Sequence, residues 1–288
     1  MPLNSISEPM PIIPALDMGI RTLVEAILSR YCKYYIKLSL VNVYMDQALI
    51  KIETISEIKG KKPTIIIGFP GTGLVGSVAA SQMIDSLGLD FVGYITSPSF
   101  APLAAIHDYK PLPPARIHYS QKHNIVVIVS EMSIPVNSSM ELADKIYEFS
   151  KSLNSGLIIS IGGISLKEGE NAVYVVSSDR NMTKSIMNKK IAKPIREGAT
   201  TGVTGLLLAR GALDKFPVLS ILAEASQDYL DPGAASNALK MLSKFLEIPI
   251  GTNQLDKDAL ETGQNMRETV TKSKTPKKTM GEEGTMYG

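Results

Sequence analysis

The stretch Thr64-Ile65-Ile66-Ile67-Gly68-Phe69-Pro70-Gly71-Thr72-Gly73-Leu74-Val75-Gly76 decides how this chain is read. Its first half is a continuous run of β-branched residues, the mark of a strand buried on both faces. Pro70 and Gly71 break the run. Leu74 to Leu87 then carries Val75, Val78, Ala79, Met83 and Leu87 near helical spacing, so a helix follows the strand directly. Strand, glycine turn and helix are the opening of an α/β unit.

Working outward, the same alternation continues. Strands are expected at Asp90–Thr96, Arg116–Tyr119, Asn124–Ser130, Gly156–Ile161, Ala172–Ser177 and Val218–Ala223. Arg116–Tyr119 and Asn124–Ser130 form a hairpin over Gln121-Lys122. Gly162-Gly163 stops the strand before it. Ser97–Pro114 is rich in proline and reads as an irregular loop. A helix runs from Asn137-Ser138-Ser139 to about Leu153, with Glu141 placed for a capping contact. Gly202–Gly211 is a small, apolar, packed helix. Asp231-Pro232 is an N-cap followed by proline at the first helical position. The helix after it aligns Ala235, Leu239, Leu242, Phe245 and Leu246. The expected fold is therefore α/β, a mixed and largely parallel sheet sandwiched by helices.

Composition narrows function. The 288 residues are 44% hydrophobic and 20% charged, with a formal net charge of +2. That is enough chain for a substantial core, and too even a charge for nucleic acid binding. The single cysteine, Cys32, excludes an internal disulfide or a cysteine-rich metal site, and only three histidines are present. The apolar stretch from Ile12 to Leu28 is interrupted by Asp17, Arg21 and Glu25, so neither a membrane span nor a signal peptide is expected. The expected location is the cytoplasm. Residues 1–61 form an extension and lead-in, in which Met18–Leu28 has an amphipathic pattern. Residues 62–250 are the α/β domain. From Gly251 to Gly288 large apolar residues are scarce, and a flexible tail is expected, with a helix possible over Asp256–Glu268.

Gly71-x-Gly73-x-x-Gly76 has the context of a dinucleotide fingerprint, in which backbone N–H groups and a helix start hold a pyrophosphate. The acid that binds the ribose belongs at the end of the next strand. That strand ends Ile95-Thr96-Ser97, and Asp90 lies at its beginning. The other reading makes Gly68, Gly71, Gly73 and Gly76 a structural glycine loop, serving a tight turn and close packing, with no cofactor. No P-loop, Gly-x-Ser-x-Gly elbow or His-Glu-x-x-His motif is present. His107, His118 and His123 read as surface residues. Glu131 and Glu224 end predicted strands, either as site carboxylates or as caps. No catalytic residue is assigned.

Gly68-Phe69-Pro70-Gly71-Thr72-Gly73-Leu74-Val75-Gly76, together with Gly205-Leu206-Leu207-Leu208 and Asp231-Pro232-x-Ala234-Ala235, resembles the archaeal branch of the proteasome assembly chaperone family. The resemblance covers about Lys62 to Pro249. It implies a fold distantly like nucleoside phosphorylases, no established catalysis, and ATP-independent homo-oligomers, a tetramer among them, that bind proteasome α subunits. In proteins of this kind whose tails resemble those of proteasome-activating ATPases, a hydrophobic–Tyr–any-residue terminus docks between adjacent α subunits, its carboxylate on a pocket lysine. Met286, Tyr287 and Gly288 match those three positions. A nucleotide- or nucleoside-binding enzyme using the Gly71–Gly76 loop is the alternative.

Overall fold

The isoleucine run forms β2 (Thr64–Gly68) at the centre of the sheet. Its residues alternate between two cores. Ile65 and Ile67 enter one apolar cluster and Ile66 the other, as a strand covered on both faces requires. The structure is a computed structural model that describes residues 50–165 and 171–262. The chain divides into two units, Met1–Ala48 and Leu49–Gly288. The first lies outside the described residues, as do the amphipathic pattern at Met18–Leu28 and the terminal Met286, Tyr287 and Gly288.

The remaining strands are β1 (Lys51–Thr54), β3 (Asp90–Thr96), β4 (Ala105–His107), β5 (Lys110–Leu112), β6 (Ala115–Ser120), β7 (Ile125–Ser130), β8 (Leu157–Ile164), β9 (Val173–Ser177), β10 (Lys193–Pro194) and β11 (Val218–Glu224). Nine of them form one sheet in the order β1-β3-β6-β7-β2-β8-β11-β9-β10. β7, β2, β8 and β11 run parallel at its centre. The β1-β3-β6-β7 flank and the β11–β9 pair are antiparallel. The sheet is thus mixed as expected, with parallel pairing concentrated where helices cover both faces.

The helices are α1 (Val75–Leu87), α2 (Ser139–Ser152), α3 (Arg180–Lys189), α4 (Gly202–Asp214) and α5 (Pro232–Leu246). α1 and α5 bury Ala79, Met83, Leu239 and Leu242 against one face of the sheet. α2 and α4 bury Leu142, Ile146 and Leu207 against the other. Among the described residues no helix is long and apolar enough to cross a membrane.

The structure departs from the sequence reading at several places. Ser97–Pro114 is not irregular throughout. β4 and β5 pair within it as a small antiparallel hairpin. Gly162 and Gly163 do not stop β8, because β11 pairs alongside both of them. Glu141 does not cap α2. It accepts the Ile50 backbone N–H at 2.7 Å, tying the entry of β1 to the helix, while α2 is entered through a 3₁₀ turn at Val136–Ser138. The edge strand β1 and the polar helix α3, of which only Ile186 is buried, carry too little apolar pattern to be seen in sequence. The folded body is also wider than 62–250. β1 lies before it. After it, residues 253–262 are helical and place Leu255 in the core. Asp256 fixes this last helix to α5, accepting from Ser236 at 2.6 Å and from Lys240 at 2.8 Å.

Candidate functional site

The glycine turn leaves the C-terminal end of β2 and enters α1 through a 3₁₀ turn at Thr72–Leu74. Its four glycines have different surroundings. A Cβ on Gly68 would fall 2.2 Å from the Gly76 carbonyl oxygen, and one on Gly76 would fall 2.5 Å from that of Phe69 and 2.6 Å from that of Ile161. These two glycines let α1 lie directly on β2 and β8. Gly73 adopts φ +61 and faces Ala225 and Asp231, and its carbonyl accepts the Asp231 N–H at 3.0 Å. Gly71 has an extended backbone, and a Cβ there would meet nothing within 4 Å.

The strand order also bears on the dinucleotide reading. β3, which follows α1 in sequence, is separated from β2 by β7 and β6. Asp90 pairs with Tyr119 at the end of β3 remote from the glycine turn. The adjacent parallel strand that carries the ribose acid in a dinucleotide fold is therefore not β3.

Beside the turn lies a cleft of about 930 Å³, at the C-terminal ends of β2 and β8 and walled by residues 194–204. Its lining is rich in hydroxyls, among them Thr72, Ser139, Ser160 and Thr204, and it includes Arg196 and Glu197. Ser160 and Thr204 are 2.6 Å apart and bond to each other. The starts of α2 and α4 reach this cleft, as does Thr72 of the 3₁₀ turn that leads into α1, and none of these starts has a side-chain cap. The starts of α3 and α5, elsewhere, are capped by Asp179 and Asp231. Sequence reasoning found the Gly71 side of the cleft and missed the other wall. Thr200-Thr201-Gly202 was its only local sign.

Glu131 and His107 meet at the same end of the sheet. Glu131 Oε1 accepts from Arg116 and lies 2.6 Å from His107 Nε2. Arg116 is 4% exposed and also donates to the Pro113 carbonyl at 3.1 Å. Burial opposes ionisation of Glu131, but the bonds and charges of Arg116 and His107 outweigh it and hold the carboxyl below its usual range. The cluster fastens the β4–β5 hairpin to β6 and β7. Glu224 is buried at the end of β11 and accepts the Ala172 N–H at 3.5 Å. His118 is not at the surface. It is buried on β6 against the Phe91 ring, and its desolvation lowers its pKa. Among the described residues no group of three or more His, Cys, Asp or Glu side chains is placed to hold a metal ion.

The mixed sheet carries the glycine turn and the cleft in one α/β body, and residues 65–270, most of that body, match one family model: the chain belongs to the PAC2 family. Among its relatives, the uncharacterized protein MJ0106 of Methanocaldococcus jannaschii is 29% identical over 213 residues, which are 74% of this chain and 87% of that protein. The fold is similar to the crystal structure of Pyrococcus furiosus PbaA, an archaeal homolog of proteasome-assembly chaperone. The TM-score is 0.70 at 25% identity, covering 77% of this chain and 92% of that one. It is equally similar to P. furiosus PbaB, an archaeal proteasome activator, with a TM-score of 0.69 at 25% identity, covering 77% of this chain and 99% of that one.

Proposed function

We propose that this chain is a cytoplasmic, ATP-independent proteasome-binding protein, an assembly chaperone or activator. It docks Met286, Tyr287 and Gly288 between α subunits of the core particle. The observation that carries this reading is the fold shared with PbaA and PbaB over 77% of the chain. The terminal residues supply the chemistry. Tyr287 is a rigid aromatic anchor with a polar tip, and a terminal carboxylate suits a basic pocket. One such anchor binds weakly. Several on a homo-oligomer raise the effective concentration, so the assembly exceeds one tail by about 10²–10⁴-fold.

Capture of purified core particles tests this reading. The parent chain should bind them and stimulate peptide hydrolysis. Tyr287→Ala, and one residue appended after Gly288, should both abolish binding with the oligomer unchanged. An appended variant that binds as the parent does would remove the terminal residues from the mechanism.

The hydroxyl-lined cleft, met by the uncapped starts of α2 and α4 beside the glycine turn, supports a second reading, a nucleotide or nucleoside ligand. Thermal-shift titration with ATP, NAD and nucleosides separates the two. Micromolar binding favours the second.

A further inference from the structure

Most exposed large apolar side chains of the described chain lie at one end of it. Leu74 follows β2, Leu103, Ile106 and Tyr109 lie between β3 and β6, Val136 and Met140 follow β7, and Tyr229 and Leu230 follow β11. β2, β7 and β11 are parallel, and β6 runs against them. All these connections therefore sit at the C-terminal end of the parallel strands. Val136 is 87% exposed and Ile106 65%. Ile55 and Leu213 lie at the other end. Exposed apolar side chains gathered at one end favour a contact surface there.

Tyr109 is the clearest member. It is 97% exposed and sits at φ +62, after Asp108 at φ +47, in the two-residue turn between β4 and β5. Positive φ at both central positions is the hairpin geometry that favours Asp-Gly or Asn-Gly. A tyrosine there works against the turn and buries nothing within the chain. A local rule broken without a folding gain points to function. The hairpin is also held in place, through His107, by Glu131 and the buried Arg116.

The last helix shows where the rest of the chain departs. Gly251 accepts from Gln82 near the end of α1. Asp256 bonds to Ser236 and Lys240 in the middle of α5. Ala259 lies beside Gly233 at the start of α5. The helix thus runs back along α5 and brings Thr262 to the end that carries Leu230 and Leu74. Residues 263–288 continue from there. Twenty-six residues of unstructured chain span roughly 28 Å in general, whereas a domain of this size is roughly 45 Å across. A partner holding the tail tip meets this end far more readily than the opposite one, because effective concentration falls with the distance to be spanned.

We propose that the apolar end of the folded body is a second docking surface, applied to the same proteasome α ring that receives the tail, with Tyr109 as its central anchor. This rests on the tail-docking reading above. The test measures binding of the full chain to immobilised core particles for the parent, Tyr109→Gly, Val136→Ser and Tyr287→Ala, with light scattering and thermal unfolding on each. Tyr109→Gly restores the preferred turn, so its Tm should stay level or rise while affinity falls about tenfold, as for loss of a buried interface aromatic. Val136→Ser should weaken binding in the same direction. If both bind as the parent does while Tyr287→Ala abolishes binding, the tail alone docks and this proposal is overturned. If either variant lowers the oligomer mass, the surface joins copies of this chain and the proposal is again overturned. If the parent does not bind core particles, the tail-docking reading fails and this one with it.

Discussion

Gly76 and Gly71 belong to one motif and do different work. Gly76 lets two backbones touch, whereas Gly71 has extended dihedrals and open space where a side chain would go. Gly76→Ala should therefore lower stability by about 2–3 kcal/mol, since backbone cannot move aside for a methyl group. Gly71→Ala should stay within about 0.5 kcal/mol of the parent. Urea midpoints of the two variants check this, and equal losses would contradict the geometry. Spacing alone could not rank these glycines. The demand at Gly76 comes from two carbonyls, that of Phe69 and that of Ile161, and the second is remote in sequence. Gly73 falls between the two, with its positive φ the kind of demand a tight turn announces in sequence.

The β4–β5 hairpin is an element held by one ionic cluster. Its folded state keeps the Glu131 carboxyl below its usual range. A depressed carboxylate adds stability above its unfolded pKa of about 4.3, and that stability is lost as pH falls through the lower folded value. The hairpin should accordingly loosen below about pH 4.3, seen as faster hydrogen exchange over residues 97–114. Glu131→Gln should remove this acid step. It should also cost about 3 kcal/mol at neutral pH, because Arg116 would stay buried without its counter-charge. No change in either quantity would show that the cluster does not fasten the hairpin. Glu131 was visible in sequence as a carboxylate at a strand end, but not its partners, which lie on other strands. The burial of His118 was not visible for the same reason: Phe91, whose ring packs against it, stands opposite it on the neighbouring strand β3.

At the scale of the whole molecule, the last helix belongs to the body through Leu255 and Asp256. A chain ended at Thr262 should fold as the parent does and keep the mass of the parent oligomer in light scattering, while losing capture of core particles. A chain ended at Pro249 should lose stability as well, because the core loses Leu255. A truncation at Thr262 that leaves only monomers would place self-association in residues 263–288.

The sequence by itself determined the α/β class, most strands and helices, the Asp231 cap and the missing ribose acid. These follow from short-range rules: side-chain period, turn chemistry and helix capping act within a few residues. Tertiary structure alone decided that β7 and β6 separate β3 from β2. It also decided that the glycine turn and the starts of α2 and α4 meet at one cleft, and that the apolar loops and the end of the last helix share one end of the molecule. The physical reason is that buried strands present equivalent backbone edges, so local pattern marks a strand without naming its neighbour. The neighbour is chosen by packing both sheet faces at once, and the surfaces at the strand ends follow from that choice.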